Sequence, residues 1–116
     1  MANAFKILGV LTVVAAFSFA AYSQVRLIPI AEGWAKNQVN AVVFRKNSVT
    51  SFRDHQYVAF YDGESRVVMA KRKLGKGNWT IRPTQFTGDT SDAHNSISIA
   101  VDGKGFLHLA WGNHNT

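Results

Sequence analysis

The sequence predicts an all-β fold of the β-propeller type, and three observations indicate it. Short segments that alternate apolar and polar residues recur along the chain, each bounded by glycine, asparagine or aspartate. Beyond the first two dozen residues, no stretch has the apolar period of about 3.6 residues that marks an amphipathic helix. Four such segments are followed by a partial second copy of the same pattern, which is typical of propeller blades.

Residues 1–23 are predicted to be a secretory signal peptide. A short, weakly positive start precedes an almost wholly apolar run from Ile7 to Ala20, and Ala21 and Ser23 occupy the small-residue positions of a cleavage site. Cleavage after Ser23 would leave Gln24 as the N-terminus of a secreted or periplasmic protein. A transmembrane anchor is the alternative, but the apolar run is shorter than the roughly 20 residues that span a bilayer. We therefore expect no stable membrane insertion after cleavage.

The remaining chain, residues 24–116, is basic and has no cysteine. It carries twelve Lys and Arg against seven Asp and Glu, because Lys6 is the only charged residue in the leader. Such a balance favours an anionic partner, and an acidic polysaccharide suits an exported chain that has no nucleic-acid-binding motif. A generic basic surface is the alternative interpretation. No cofactor is predicted, although a structural metal ion stays open.

The predicted strands make about one and a half four-stranded antiparallel blades. The first blade covers about residues 34–86, with strands at Asn37–Phe44, His55–Asp62, Arg66–Lys73 and Trp79–Phe86, and the second starts at about 94, with strands at Asn95–Asp102 and Phe106–Gly112. A propeller needs more blades to close, so we expect an N-terminal piece of a propeller domain that is inactive in isolation. A self-contained β-sandwich of six strands is the alternative fold.

Two histidines are predicted to lie at the same end of the second sheet. His94 precedes one strand of a hairpin and His114 follows the other, and antiparallel strands bring those two positions together. The same reasoning puts His55 at the opposite end. Because imidazole exchanges protons near neutral pH, His94 and His114 are the candidate catalytic pair. An inert pair of surface histidines is the alternative.

Polar and aromatic residues near the same end are the candidate sugar-binding groups. Asn37, Asn95 and Asn113 can hold imidazole tautomers or bind sugar hydroxyl groups. Trp34, Trp79 and Trp111 are most simply residues that pack between blades, but Trp34 can also stack on a sugar ring. No metal ligand is assigned. His108 alternates out of phase with the apolar residues of its strand, and we predict a hydrogen-bonded histidine of the core, packed between blades.

The segments "EGWAKNQVNAVVFR", "QYVAFYDGESRVVMAKRKLG" and "DAHNSISIAVDGKGFLHLAWGNHN" resemble the BNR repeat-containing family of secreted bacterial β-propellers. That family is similar to the seven-bladed propeller ulvan lyases. The resemblance implies β-elimination at a uronic acid, with His94 as the acid or base and His114 binding substrate or neutralising its charge. It also implies a Tyr and an Arg from later blades, which would follow Thr116.

Three functions stay open at this point. The first is a polysaccharide lyase that cleaves an ulvan-like, uronic-acid-containing polymer. The second is a glycoside hydrolase on the same scaffold, acting on rhamnose–glucuronate linkages through a histidine and water. The third is a propeller that binds sugars without cleaving them.

Overall fold

The computed structural model describes residues 25–41 and 47–114. All regular secondary structure within these residues is β-strand, which confirms the all-β prediction. The six strands are β1 (Val49–Phe52), β2 (His55–Tyr61), β3 (Arg66–Lys73), β4 (Thr80–Thr87), β5 (Ser98–Val101) and β6 (Leu107–Ala110). The leader at 1–23 lies outside the described residues.

The strands form two antiparallel sheets in which each strand pairs with its neighbour in sequence. The first sheet has the order β1-β2-β3-β4, and β5 pairs with β6 in the second. A four-stranded meander of this kind is the form of a propeller blade. Pro83 lies in β4, at the edge of the described sheet, where a residue without an N–H group is tolerated.

The first strand is not where the sequence predicts it. Of the predicted strand Asn37–Phe44, residues 37–41 form bends and turns, and 42–44 lie outside the described residues. The Asn37 side chain accepts a bond from the amide of Val39 (3.1 Å), and such local bonds compete with strand pairing. Instead β1 falls in the polar stretch that follows and pairs with β2 through Val49 and Val58.

Asn40 anchors this irregular segment to the end of β2. Its side-chain oxygen accepts a hydrogen bond from the Tyr61 amide (2.9 Å), and its side-chain nitrogen donates to the Tyr61 carbonyl (2.8 Å). Val39, the residue before it, is fully buried although it is not in a strand. The segment therefore belongs to the core without contributing to the described sheet.

The main core lies between the two sheets. The inward residues of β2 and β3 pack against those of β5 and β6, and the cluster consists of Val39, Ala59, Tyr61, Val67, Ile97 and Ile99, with Trp34, Tyr57, Met69, Leu109 and Trp111 at its margin. A smaller cluster covers the other face of the first sheet, around Val58, Phe60, Val68 and Ala70. Face-to-face packing of neighbouring sheets is how propeller blades bury their apolar residues.

The prediction that His108 is a core residue is wrong. Its side chain is 62% exposed, and its Nε2 lies 3.1 Å from Oδ2 of Asp102. Leu107 and Leu109 alternate with it and are half-buried, so His108 points away from the main core. The His108 side chain and the Phe106 amide lower the pKa of the Asp102 carboxyl.

Within the part of the chain that the structure describes, no helix is long and apolar enough to cross a membrane.

Gly88 leaves no room for a side chain beside the buried ring of Tyr61. A Cβ at this position would lie 2.5 Å from the Tyr61 hydroxyl, whereas a Cβ at Gly63 would meet nothing within 4 Å. We expect Gly88→Ala to lower the free energy of unfolding by about 1–3 kcal/mol, because a fully buried ring cannot move aside. Denaturant unfolding measures this. Gly63→Ala is the matched control and should unfold like the parent; equal stability of both variants would contradict the packing described here.

Candidate functional site

The two candidate catalytic histidines lie side by side at one end of the second sheet. His94 is in the loop before β5 and His114 follows β6, and their ring centroids are 4.5 Å apart. The prediction that antiparallel strands bring them to a common end is confirmed. His55 begins β2 and lies at the opposite end from Tyr61, which contacts the His94 loop. That predicted placement is confirmed as well.

One carboxylate holds both rings. Oδ1 of Asp92 lies 2.7 Å from Nδ1 of His94, and Oδ2 of the same group lies 2.6 Å from Nδ1 of His114. The backbone amide of His94 also donates to Oδ1 (2.8 Å). The pKa of the Asp92 carboxyl therefore lies well below its ordinary value of 3.8. The largest cause is the bond from the His94 amide, followed by the bonds from the His114 and His94 rings.

The arrangement determines which nitrogen of each ring carries the proton. An ionised carboxylate accepts hydrogen bonds and donates none, so both Nδ1 atoms are the donors to Asp92. In the neutral form of each ring, the lone pair is then on Nε2. A carboxylate that orients an imidazole in this way is a common feature of histidines that transfer protons or bind metals.

Asn95 fixes the backbone beneath the pair. Its side-chain oxygen accepts from the amide of His114 (3.0 Å), and its side-chain nitrogen donates to the carbonyl of Asp89 (3.2 Å). Its carbonyl accepts from the Tyr61 hydroxyl (2.8 Å). Asn95 is only 2% exposed, so the structure places this predicted substrate-binding residue under the site as a positioning residue.

The other predicted binding residues are spread around the same end. Asn37 donates to the carbonyls of Thr90 (2.6 Å) and Ser91 (3.1 Å) and so ties the N-terminal segment to the loop that carries Asp92. Asn113 is exposed beside His114. Trp34 lines a different cleft, of about 400 Å³, with the Lys36 ammonium 5.0 Å from its ring centroid. The structure does not bring Trp34 into the cleft beside the histidines.

A cleft of about 440 Å³ opens beside His114. Trp111 forms part of its wall, and the other lining residues are Thr87, Gly88, Asp89, Asp92, Asn95 and Gly112. The Trp111 ring is held by a hydrogen bond from its Nε1 to the Thr87 carbonyl (3.2 Å) and by contact with Phe86. An aromatic wall of this kind offers a flat surface that suits a sugar ring.

The second half of the chain matches a family model. The model of the BNR repeat-containing family member covers residues 55–116, which include β2 to β6 and both histidines of the pair. The chain belongs to this family. Among curated proteins, none matches the chain.

Two site residues of this BNR repeat-containing protein are not identified by sequence reasoning. Asp92 lies two positions before His94. Aspartate side chains often accept a hydrogen bond from the backbone amide two residues further on, and this tendency is the signal in the sequence that could have placed Asp92 beside His94. The sequence predicts that Trp111 packs against other strands. The ring does pack at the margin of the core, but it also lines the cleft, just after the end of β6.

The same three side chains have the composition of a transition-metal site. Asp92, His94 and His114 each offer one ligand atom, and these atoms lie within 4.8 Å of one another. Two imidazoles and a carboxylate are ligands that zinc and similar ions accept. The cluster can thus exchange protons or bind a divalent ion.

The shared carboxylate leads to a prediction for Asp92→Asn. An amide offers one acceptor oxygen and one donor nitrogen, so only one ring can keep its proton on Nδ1, and the other must move it to Nε2. We expect ¹⁵N NMR of the imidazoles to show two identical tautomers in the parent and two different ones in the variant. Asp102→Asn, which alters the bond of His108 and leaves Asp92 in place, is the control. Unchanged tautomers in Asp92→Asn would contradict the shared hydrogen bonds.

The lowered pKa of Asp92 sets the pH range over which the pair stays in place. A carboxyl whose pKa falls on folding stabilises the folded state at pH values above 3.8, and this contribution is lost as the pH falls through the lower native value. We therefore expect the contacts of both rings with Asp92 to persist in NMR spectra recorded at pH 4. Titration of the Asp92 carboxyl at its ordinary value would contradict this.

Proposed function

We propose that the protein is a carbohydrate-active enzyme that cleaves an ulvan-like, uronic-acid-containing polysaccharide by β-elimination. One observation carries the proposal: two imidazoles with defined tautomers share a single carboxylate beside an aromatic-walled cleft. Membership of the BNR repeat-containing family supports a propeller scaffold, and the resemblance of the His–Asn hairpin to that of the propeller ulvan lyases supports the substrate class.

The chemistry requires a base and an acid at neighbouring carbons of the uronate. His94 removes the proton from C5 through the lone pair on its Nε2. The electrons of that C–H bond form the double bond between C4 and C5, and the bond from C4 to the glycosidic oxygen breaks. His94 then returns the proton to the departing oxygen, so that no water is consumed.

His114 and Asp92 support this step. His114 binds the substrate next to its carboxylate, and a proton on this ring would offset the negative charge that develops there. Asp92 keeps both rings in orientation and stabilises whichever ring carries a positive charge. Trp111 supplies a surface on which the sugar can lie.

We place the two sheets in a seven-bladed propeller, and the four-stranded meander with its packed neighbour supports this architecture. The remaining blades would supply the tyrosine and arginine that the resemblance implies. Their absence from the full-length protein would favour a propeller that only binds sugars.

The test of function is His94→Ala in the full-length protein. We expect the variant to fold but to lose elimination by a factor of about 10² or more, because general acid–base catalysis contributes at least that much. The measurement is the ultraviolet absorbance of the unsaturated uronate that elimination produces. His108→Ala is the control, since His108 also bonds an aspartate, Asp102, but belongs to β6 and not to the pair that shares Asp92.

Each result has a distinct meaning. New reducing ends without the ultraviolet signal would identify a hydrolase and overturn elimination. Full activity of His94→Ala would exclude this residue from the chemistry, and loss of activity in His108→Ala would show that the effect is not specific to the pair.

Export is the second part of the proposal. Ile7 to Ala20 and the small residues that follow support a leader cleaved after Ser23. N-terminal sequencing of the protein recovered outside the cytoplasm should give Gln24 as the first residue. A protein that keeps Met1 and stays in the cytoplasm would contradict export.

A further inference from the structure

The charged side chains of the described residues are separated between the two ends of the packed sheets. One end consists of the β1–β2, β3–β4 and β5–β6 turns and the strand residues next to them. We call it the basic end, and its cations are Arg26, Arg53, Lys71, Arg72, Lys73, Lys76 and Lys104. Arg26 belongs to it because its guanidinium lies beside Gly77, and Lys104 because the neighbouring Gly105 lies against the Phe52 ring.

Few carboxylates offset these cations. Asp54 and Asp102 are the acidic residues of the basic end within the described ranges. Asp54 already contacts His55 (2.7 Å) and Lys73 (3.4 Å), and Asp102 contacts His108. Both carboxylates are therefore already engaged by neighbouring side chains, and the cations of the basic end outnumber them.

The end that carries the histidine pair has the opposite balance. Its carboxylates belong to Asp62, Glu64, Asp89 and Asp92. Its cations within the described residues are Arg66, which is paired with Asp62 (2.8 Å) and Glu64 (3.1 Å), and Lys36, whose neighbour Asn37 bonds the Thr90 carbonyl. The carboxylates are therefore in excess. Because the field of a protein attracts ligands to the side of opposite charge, a polyanion is attracted more strongly to the basic end than to the end with the histidines.

Two cations of the basic end, Arg72 and Lys71, are held by neighbouring groups. Nε of Arg72 donates to the Gln56 side chain (2.8 Å) and NH1 donates to the Lys76 carbonyl (3.0 Å), while the guanidinium lies 5.0 Å from the centre of the Trp79 ring. The Lys71 ammonium lies 5.6 Å from the centre of the Tyr57 ring. Side chains that are already ordered lose less entropy when they bind a ligand.

A cleft lies among these cations. Its volume is about 450 Å³, and its lining residues are His55, Lys71, Arg72, Lys73, Asn78 and Thr80. Ammonium and guanidinium groups bind carboxylate or sulfate groups, and the amide and hydroxyl groups can bind sugar hydroxyls. The cleft therefore combines the two kinds of contact that an acidic sugar requires.

We propose that the basic end is a binding surface for an acidic polysaccharide, separate from the histidine pair. It holds the sulfate or carboxylate groups of the polymer and keeps the protein on it. Single-stranded nucleic acid is the competing polyanion, and it would need aromatic faces for base stacking. Phe106 is 66% exposed at this end, so DNA binding is an outcome that the test must measure. The rings of Trp79 and Tyr57 lie under Arg72 and Lys71. This inference does not depend on the proposed cleavage.

The test compares two double variants that remove the same charge from different places. Lys71→Gln/Lys76→Gln removes two cations of the basic end, and Lys36→Gln/Arg66→Gln removes two from the end that carries the histidine pair. Binding of the full chain to heparin is measured by titration calorimetry over a range of salt concentrations. Uncharged dextran and single-stranded DNA are the comparison ligands, and circular dichroism confirms folding.

We expect the first variant to bind heparin about tenfold more weakly at low salt, with a shallower dependence of affinity on salt, because fewer counterions are released. The second variant should bind like the parent, and dextran should not bind. Equal weakening in both variants would reduce the effect to net charge and overturn the proposal. So would tighter binding to DNA than to heparin.

The result is separable from the proposed function. His94→Ala should leave heparin binding unchanged while it abolishes elimination. Loss of heparin binding in His94→Ala would instead place the polymer at the histidine pair and overturn a separate surface.

Discussion

The site depends on Asn95, a small polar residue that is buried where three parts of the chain meet. Its side chain bonds the His114 amide after β6 and the Asp89 carbonyl after β4, and its carbonyl receives the hydroxyl of Tyr61 from β2. A buried amide group without partners costs about 1–3 kcal/mol, so these bonds strongly favour one arrangement of the backbone. That arrangement brings both imidazoles to one carboxylate.

The histidine pair and the basic cations lie at opposite ends of the two packed sheets. Sheet geometry produces this separation directly, because alternate turns of a meander emerge at alternate ends. The end with Asp92 has a negative balance that suits proton transfer and the orientation of imidazoles. The end with Lys71 has the positive field that attracts a polyanion. Neither property could be optimised easily if both sets of charges shared one surface.

The sequence predicts most of the strands and the meeting of His94 with His114, because both follow from alternation and antiparallel pairing, which are local patterns. It misplaces β1, because the bonds of Asn37 and Asn40 to distant backbone groups are tertiary. It predicts burial for His108, since alternation identifies the face of a strand but not what covers that face. Asp92 is missed because two histidines from different parts of the chain reveal its role only when they are folded together.

The bonds of Asn40 and Asn95 recur in the two sheets. Asn40 accepts from the amide of Tyr61 and Asn95 accepts from the amide of His114, each joining the entry of one sheet to the end of its second strand. The neighbouring side chains differ, however. Val39 precedes Asn40 and Tyr61 bonds it, and both are buried, whereas His94 precedes Asn95 and His114 bonds it. The same asparagine-to-amide bond thus stands beside buried apolar side chains in one sheet and beside exposed imidazoles in the other, so the residues next to it can change in character while the backbone connection stays the same.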